Sequence, residues 1–368
     1  MPNRAEPHAL PLLEKHARLA EGYTPVHIGH WPTPIVEAQR YAATKSLKAL
    51  FIKREDLSHP VVGGNKVRGL EFLLAEAQRR RSSMILTIGA AGSHHVAATA
   101  WHARQLGVGT IALVTRQPPA AYARPNLLLG LDAGIRYIPV DFLTILPRLA
   151  ACRWIAPKRS PGGQPFYIPP GGTSRLACLG HVNAALELKR QIDAGFLPEP
   201  DYLYVALGSL GTAAGLALGC KLAGLRTHLV GVVASYRWYC TPRRWARIAR
   251  RTLGLMRGAD PTVRDVSIGE GDLTVVSTAL GKGYAWATPE SRELAREMTA
   301  CEGLELDGTY TAKTLHGMLQ HIERNRLRDR IHLFWHTYCP AKPQREGPDS
   351  EDALPRRLRR CFESTSSP

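Results

Sequence analysis

The sequence contains no apolar run near the roughly 20 residues that a membrane-spanning helix needs. Residues 1–19 scatter charges and prolines and lack the apolar core of a secretory signal, so we expect none. The seven cysteines lie far apart without a CxxC pair, which argues against a zinc site or a disulfide framework. We therefore expect a protein of the reducing cytoplasm, with no membrane segment and no bound metal.

Negative charge is also scarce, because 31 acidic residues face 48 lysines and arginines and leave a net charge of +17. Such an excess can serve nucleic-acid binding. The densest basic run lies along one face of a predicted helix that Thr241 can cap and Gly254 can end. A solvated basic face is the favoured interpretation, because the opposite face is apolar and no nucleic-acid motif accompanies it. The basic residues are Arg243, Arg244, Arg247, Arg250 and Arg251, opposite Trp245, Ile248, Ala249 and Leu253.

The chain is organised around the turn Gly63-Gly64-Asn65-Lys66-Val67-Arg68. Its two glycines allow a tight, bare turn. Apolar residues recur at helical spacing directly after Lys66, so this lysine stands at the start of a helix. The N-terminus of a helix is electropositive and disfavours a charged amine. A neutral lysine is a nucleophile that can form a Schiff base, although a lone lysine is more simply a surface residue.

Short apolar runs alternate with helical segments between residues 49 and 233, with few residues between them. This alternation predicts a parallel α/β sheet. It resumes after a stretch rich in proline and glycine at 157–170, which predicts a second α/β layer. The polar, charged tail at 342–368 is expected to be poorly ordered.

Two strand-to-helix loops could bind ligands. The loop 208–215 has neither the ending of an ATP-binding loop nor a GxGxxG turn, and its backbone N–H groups suit a small phosphate monoester. Such glycine turns often serve only close packing. The second loop offers Ser93 to a carboxylate, with His94 and His95 available to a cofactor or for proton transfer. Ser93 could equally be an ordinary helix cap.

Two tyrosines late in the chain, Tyr284 and Tyr310, are weaker candidates. Either ring could stack on an aromatic ligand, and either hydroxyl could donate a proton. Tyrosines are also common in protein cores, so these positions indicate little by themselves.

Taken together, these segments resemble the pyridoxal-phosphate enzymes of fold type II, and within them the group of D-cysteine desulfhydrase and 1-aminocyclopropane-1-carboxylate deaminase. The string Gly-Gly-Asn-Lys-Val-Arg is highly specific, and the order and spacing of the matches agree from about Pro32 to Pro340. The matching segments are Thr33-Pro34, Lys53-Arg54-Glu55-Asp56-Leu57, Gly63 to Arg68, Ser93 with His95, Pro170-Gly171-Gly172, Gly208-Ser209 with Gly211-Thr212, Leu306-Asp307 with Tyr310, and His336-Thr337.

The resemblance implies an α/β fold of two open, mostly parallel domains, similar to the tryptophan synthase β subunit, with pyridoxal 5'-phosphate in the cleft between them. The large cofactor-binding domain would comprise residues 1–62 and 171–341, and the small α/β domain residues 63–170. The resemblance also implies a homodimer that acts on a small amino acid.

Roles for single residues follow from the same resemblance. Lys66 would hold the cofactor and move protons at the substrate carbon, while Ser93 would bind the substrate carboxylate. Tyr284 and Tyr310 would be active-site tyrosines, and Thr311 would face the pyridine nitrogen. The other implied cofactor-binding residues are Asn65, His94, Gly208, Ser209, Leu210, Gly211 and Thr212, and the other implied substrate-binding residues are His94, His95, Thr337 and Tyr338.

Two positions favour one reaction within the group. Desulfhydrases look to have hydroxyl residues where this chain has Thr311 and Thr337, whereas the deaminases look to have Glu and Leu. The resemblance therefore favours α,β-elimination, which yields a keto acid, ammonia and, from cysteine, sulfide. Departures from the family pattern at 92–95, 307–310 and 338–339 surround the substrate pocket. They leave open 1-aminocyclopropane-1-carboxylate deamination, a β-replacement synthase and a racemase.

A non-catalytic basic binding protein on a degenerate enzyme scaffold is the alternative from another class. It would explain the net charge of +17. The intact Lys66 argues against it, so a nucleic-acid partner is not expected.

Overall fold

The structure is a computed structural model that describes residues 10–154, 164–340, 342–344, 351–359 and 361. Parts of three expectations lie outside the described residues. They are residues 1–9 of the segment judged to lack a signal, residues 157–163 of the Pro- and Gly-rich stretch, and residues 345–350, 360 and 362–368 of the tail.

The described residues form ten strands. In chain order they are β1 (Ile35–Glu37), β2 (Ala49–Arg54), β3 (Met84–Ala90), β4 (Gly109–Thr115), β5 (Arg136–Pro139), β6 (Phe166–Ile168), β7 (Tyr202–Leu207), β8 (His228–Val233), β9 (Leu273–Val276) and β10 (Ile331–His336).

The same residues form helices that mostly follow the strands. They are α1 (Pro11–Lys15), α2 (Ala17–Gly22), α3 (Gln39–Thr44), α4 (Lys66–Arg79), α5 (His94–Gln105), α6 (Ala123–Asp132), α7 (Ile145–Trp154), α8 (Cys178–Asp193), α9 (Gly211–Ala223), α10 (Pro242–Ala259), α11 (Pro289–Glu302), α12 (Thr311–Arg324) and α13 (Arg356–Arg359).

The strands make two sheets, with the orders β1-β2-β10-β7-β8-β9 and β5-β4-β3-β6. All neighbours are parallel except β1 and β2. This confirms the predicted fold class of two mostly parallel α/β sheets. The smaller sheet lies within the range of the predicted small domain, while the domain boundaries stay a prediction. In such sheets, ligands bind beyond the carboxyl ends of the strands.

Side chains of the larger sheet alternate between two cores, as the pleat of a strand requires. In β7, Leu203 and Val205 pack into the core that holds α8 and α9, whereas Tyr204 faces a second core with α12. Helices α8 and α9 approach closely, because a Cβ on Gly219 would lie 2.6 Å from the Cβ of Ala185. This close contact packs α9 against α8, and the start of α9 follows β7 after a loop of three residues.

Helix α10 is the basic helix expected from the sequence. The hydroxyl of Thr241 accepts a hydrogen bond from the backbone N–H of Arg244 at 3.3 Å, as a helix cap does. The prediction that Gly254 ends the helix is wrong, because α10 continues to Ala259. Leu253 and Met256 are both buried in the core, and this burial outweighs the roughly 1 kcal/mol that a glycine costs in a helix.

The described part of the tail differs from the expectation of poor order. Leu354, Leu358 and Cys361 are buried against the apolar cluster of the smaller sheet, and Arg124 forms an ion pair with Glu351 at 2.5 Å. Three apolar residues spaced four and three apart give the segment one apolar side, although its average composition is charged. That apolar side anchors it.

None of the helices in the described residues has both the length and the apolar character needed to cross a membrane. All seven cysteines are described, and each is a free thiol. No group of three or more His, Cys, Asp or Glu within the described ranges is arranged to hold a metal ion.

Candidate active site

Lys66 is the first residue of α4, as its position in the sequence predicts. Its amine donates a hydrogen bond to the carbonyl oxygen of Gly171 at 3.2 Å. Burial lowers the pKa of Lys66 from 10.5 to about 8, with a small opposing effect from Cys178. Burial is thus the main cause of the lowered pKa, beyond the effect expected from the helix N-terminus. About a tenth of this amine is therefore unprotonated at pH 7, far more than for an exposed lysine.

The turn before Lys66 is clamped from both sides. A Cβ on Gly64, whose φ is +93°, would lie 2.9 Å from the carbonyl oxygen of Thr337 at the end of β10. The backbone N–H of Asn65 points at the same oxygen at 3.4 Å, and its side-chain amide donates to the hydroxyl of Thr212 at 2.7 Å. The turn therefore joins the end of β10 to the start of α9.

The loop between β7 and α9 contains Gly208, Ser209 and Leu210. Leu210 has a φ of +73°, a left-handed conformation that costs a leucine on the order of 1–3 kcal/mol and occurs often at ligand-binding sites. Its side chain is buried in the core that holds α8 and α9, and this burial offsets that strain. The first backbone N–H groups of a helix have no partner within it, so those of α9 can bind an anion.

Glycines keep the space around this loop open. A Cβ on Gly171 would lie 2.4 Å from the Ser209 hydroxyl oxygen and 3.8 Å from the Lys66 amine nitrogen. A Cβ on Gly208 would lie 2.9 Å from the ring of Tyr310. The Ser209 hydroxyl accepts a hydrogen bond from the Thr173 hydroxyl at 2.7 Å. A nucleophilic amine beside a helix start and hydroxyl groups fits a phosphate ester that carries an aldehyde, as pyridoxal phosphate does.

The two predicted tyrosines lie together at this loop. The rings of Tyr284 and Tyr310 meet edge to face, with centroids 6.0 Å apart. Burial raises the pKa of both hydroxyls, so both stay protonated and can donate a proton. Tyr122, which no sequence pattern indicated, joins them. Its hydroxyl accepts a hydrogen bond from Thr309 at 3.0 Å and interacts with the Tyr284 hydroxyl.

Asp307 holds Tyr310 in place. Its carboxylate accepts hydrogen bonds from the backbone N–H groups of Thr309, Tyr310 and Thr311 at 2.8–2.9 Å. It also accepts one from the Thr311 hydroxyl at 2.7 Å, so the hydroxyl proton of this predicted cofactor residue is already engaged. An Asp just before a helix start is the sequence signal that identifies such a positioning residue.

The Ser93 loop packs against the Lys66 turn. Ser93 precedes α5, but its hydroxyl does not cap the helix, which leaves the hydroxyl and the helix start available to a carboxylate. One ring nitrogen of His94 lies 3.0 Å from the Gly63 carbonyl oxygen, and the other lies 3.3 Å from the amide oxygen of Asn126. The predicted cofactor and substrate contacts of His94 therefore compete with these two partners.

His95 is placed deeper than the prediction implied. It is buried, with its ring nitrogens 3.3 Å and 3.5 Å from the hydroxyls of Thr87 and Thr99. Burial lowers its pKa to about 3, so it remains neutral. The His95 imidazole therefore supports the Ser93 loop from its buried side.

The segment after β10 also borders the turn. Thr337 is almost fully buried, and Tyr338 is half-buried with a pKa that burial raises. Cys339 is buried beside the glycine turn, where burial raises the pKa of its thiol. Most predicted site residues thus converge on one region at the carboxyl ends of the strands.

Comparison with known proteins agrees with this geometry. Residues 26–337 match the model of the family described as pyridoxal-phosphate dependent enzyme. Nocardicin C-9' epimerase of Nocardia uniformis subsp. tsuyamanensis is 36% identical over 293 residues, covering 79% of this chain and 86% of the relative. D-cysteine desulfhydrase of Klebsiella pneumoniae is 30% identical over 312 residues, covering 83% of this chain and 91% of the relative.

A solved structure of a 1-aminocyclopropane-1-carboxylate (ACC) deaminase homologue superposes with a TM-score of 0.74 at 26% identity, covering 90% of this chain and 95% of that one. The chain belongs to the family of pyridoxal-phosphate dependent enzymes. Its cofactor is pyridoxal 5'-phosphate. The predicted family, fold class, cofactor and enzyme class, a lyase or deaminase, are confirmed.

Proposed function

We propose that this enzyme catalyses α,β-elimination from a small amino acid with a leaving group on its β-carbon, in the manner of a D-cysteine desulfhydrase. From cysteine and one water, the reaction forms a keto acid, ammonia and hydrogen sulfide. The relative named D-cysteine desulfhydrase supports this choice of reaction. The predicted hydroxyl residues Thr311 and Thr337 agree with it.

One observation carries the proposal: a proton acceptor and a proton donor reach the same loop. Gly171, which accepts the hydrogen bond of the Lys66 amine, abuts Ser209, while Tyr310 abuts Gly208. An elimination needs a base for the α-proton and an acid for the departing sulfur. The lowered pKa of Lys66 suits a base, and burial raises the pKa of Tyr310, so its hydroxyl keeps the proton that a donor needs.

Each residue then has a task. The loop 208–212 would hold the cofactor phosphate, with Asn65 fixing its last residue, Thr212. Ser93 and the start of α5 would bind the substrate carboxylate. Lys66 would hold the cofactor and accept the α-proton, and Tyr310, with Tyr284 beside it, would protonate the leaving group. The cofactor, when bound, supplies the electron sink that makes the α-hydrogen acidic.

The proposal is tested by incubating the purified holoenzyme with D-cysteine, L-cysteine and ACC. We expect keto acid, ammonia and sulfide in equal amounts from one cysteine enantiomer, without any added nucleophile. The Lys66→Ala variant should release none. Turnover that starts only when a second nucleophile is added would indicate a β-replacement synthase and contradict the proposal, as would turnover of ACC alone.

Epimerisation of an amino acid is the second candidate, because the relative with 36% identity is named an epimerase. Both reactions begin with removal of the α-proton. They differ in whether the β-substituent then leaves or a proton returns to the opposite face. Substrate incubated in deuterium oxide separates them, since an epimerase introduces deuterium at the α-carbon and inverts the centre without releasing ammonia.

The assembly and location are also proposals. We infer a cytoplasmic homodimer without a nucleic-acid partner. The free thiols support the location, and the exposed Arg243, Arg247, Arg250 and Arg251 of α10 have the character of a solvated helix surface. Light scattering of the purified protein gives its mass in solution, and a monomeric mass would contradict the dimer.

A further inference from the structure

A short segment of aromatic residues is tied to the loop 208–212, which we name the phosphate loop because we propose that it holds the cofactor phosphate. It connects β8 to α10 and comprises residues 234–240, which we name the aromatic segment. At its start, the backbone N–H of Ala234 donates to the carbonyl oxygen of Leu207 at 3.0 Å. At its end, the Cys240 thiol lies 3.5 Å and 3.4 Å from the carbonyl oxygens of Leu207 and Gly208. Both ends are therefore fixed at the end of β7.

The interior of the aromatic segment is also ordered by local contacts. The carbonyl oxygen of Tyr236 accepts hydrogen bonds from the backbone N–H groups of Tyr239 and Cys240, both at 3.0 Å. The guanidinium of Arg244 lies 3.5 Å from the ring centre of Tyr239, and Trp238 meets that ring edge to face at 5.7 Å. These contacts fix the rings before any ligand arrives.

The rings of this segment continue the active-site tyrosines outward. Tyr310 lies against Gly208 and contacts Tyr284, and Tyr284 stacks on Tyr236 with centroids 6.4 Å apart and an interplanar angle of 23°. Tyr236 in turn lies 6.0 Å from Trp238. A row of aromatic rings thus runs from the phosphate loop to the protein surface.

The outer rings are unusually exposed. Trp238 is 72% exposed and Tyr236 is 54% exposed. Covering apolar surface yields about 25 cal/mol per Å², so fixed, exposed rings that border an active site favour the binding of an apolar group. Neither ring is needed to fill the core. Cysteine and ACC are too short to extend from the inner tyrosines along this row.

We propose that Tyr236 and Trp238 form a subsite for an aromatic group at the far end of the substrate side chain. This inference rests on the proposed function, since it extends the site in which Lys66 and Tyr310 act. The substrate class is then an amino acid whose β-substituent is long and ends in an aromatic ring. In an elimination from such a substrate with a sulfur link, the Cβ–S bond breaks, the sulfur takes a proton and leaves as a thiol that carries the aromatic group, and water completes the keto acid and ammonia.

The test compares racemic cysteine with racemic S-benzylcysteine, which undergo the same bond cleavage. For the holoenzyme we expect a higher kcat/KM with S-benzylcysteine. The ratio of the two kcat/KM values should fall about tenfold in Trp238→Ala and in Tyr236→Ala, the size expected for one lost aromatic contact. The matched control is Phe196→Ala, because Phe196 is 52% exposed and lies before the opposite end of β7. It should leave the ratio unchanged.

A binding measurement separates this inference from the proposed function. Calorimetric titration of the holoenzyme with homophenylalanine, which has no β-leaving group, should show binding about tenfold tighter than alanine, and Trp238→Ala should remove most of that difference. If neither cysteine compound is cleaved but this preference persists and depends on Trp238, the subsite stands and the elimination fails. If cysteine is cleaved and no aromatic preference exists, or the preference survives both substitutions, the subsite is overturned.

Discussion

The side-chain amide of Asn65 donates a hydrogen bond to the hydroxyl of Thr212 at 2.7 Å, across 147 residues of sequence. This contact joins the turn that presents Lys66 to the loop that would hold the cofactor phosphate. It fixes the distance between the point of attachment and the anion site. The cofactor would therefore enter a site whose two ends are already held together.

Thr212→Val removes the acceptor of this hydrogen bond and keeps the size of the side chain. A buried neutral hydrogen bond contributes about 1 kcal/mol, so we expect a fivefold to tenfold weaker affinity for pyridoxal phosphate. Titration of the apoprotein, followed by visible absorbance, measures it. Thr227→Val is the control, because the hydroxyl of Thr227 is buried without a hydrogen-bond partner in the described structure. Equal affinities in the two variants would contradict the role of Asn65 and Thr212.

Tyr310→Phe and Tyr284→Phe test the proton donor. Each keeps the ring and removes the hydroxyl. Loss of a general acid typically costs between about 10² and 10⁴ in rate. We expect kcat for elimination to fall by that factor in Tyr310→Phe, with cofactor affinity changed less than about twofold. Tyr41→Phe removes another buried hydroxyl, one without a hydrogen-bond partner in the described structure, and should leave kcat unchanged. Full activity in both active-site variants would remove the tyrosines from the mechanism.

The pKa of Lys66 can be tested in the apoprotein. Burial lowers this pKa to about 8, and only the unprotonated amine attacks an aldehyde. The rate of cofactor attachment should therefore rise with pH and level off just above pH 8. Stopped-flow absorbance over a pH series measures the profile. A rate that keeps rising toward pH 10.5, as for an exposed lysine, would show that the amine is not buried in the apoprotein.

Glu187 stabilises the protein next to α4, the helix that begins at Lys66, through buried ion pairs. Its carboxylate lies 2.5 Å from the Lys53 amine and 2.9 Å from the Arg68 guanidinium. Burial alone would raise its pKa, but Arg68 and Lys53 lower it to about 2. Because this pKa is lower in the folded than in the unfolded protein, the stabilisation is complete above about pH 4.5 and is lost as the pH falls toward 2.

Glu187→Gln should lower the free energy of unfolding by about 3–5 kcal/mol, because it leaves the buried Lys53 amine without a carboxylate and leaves Arg68 with Glu55 alone. Urea denaturation at pH 7 measures it. Glu76→Gln is the control, since Glu76 pairs with the exposed Arg79 and Arg80 and should cost less than about 1 kcal/mol. Similar small losses in both variants would mean that the buried network contributes little to stability.

Local sequence patterns were sufficient to predict the parts of the site that depend on short segments. The glycine turn, the position of Lys66 at a helix start and the loop after β7 all follow from residues adjacent in sequence. The strand–helix alternation likewise predicted the two parallel sheets. Residue identity was enough here because each feature is a strand, turn and helix in direct succession.

Features that depend on distant residues were not predicted. Strand β10 lies at the centre of the larger sheet, but its neighbours β2 and β7 are far away in sequence, so no local pattern indicates its place. Tyr122 joins the active-site tyrosines only through the packing of the smaller sheet's loops. Burial of Leu354 and Leu358 required a partner surface that composition does not show.

The most direct test locates the cofactor on the chain. Borohydride reduction of the holoenzyme fixes the bond between cofactor and lysine, and mass spectrometry of tryptic fragments identifies the modified residue. Among the described residues, Lys53 and Lys313 are buried lysines that offer an internal comparison, and burial also lowers the pKa of Lys313 to about 8. We predict modification of Lys66 alone and none in Lys66→Ala. Modification of Lys313 or Lys53 in the unaltered enzyme would contradict the assignment of the site.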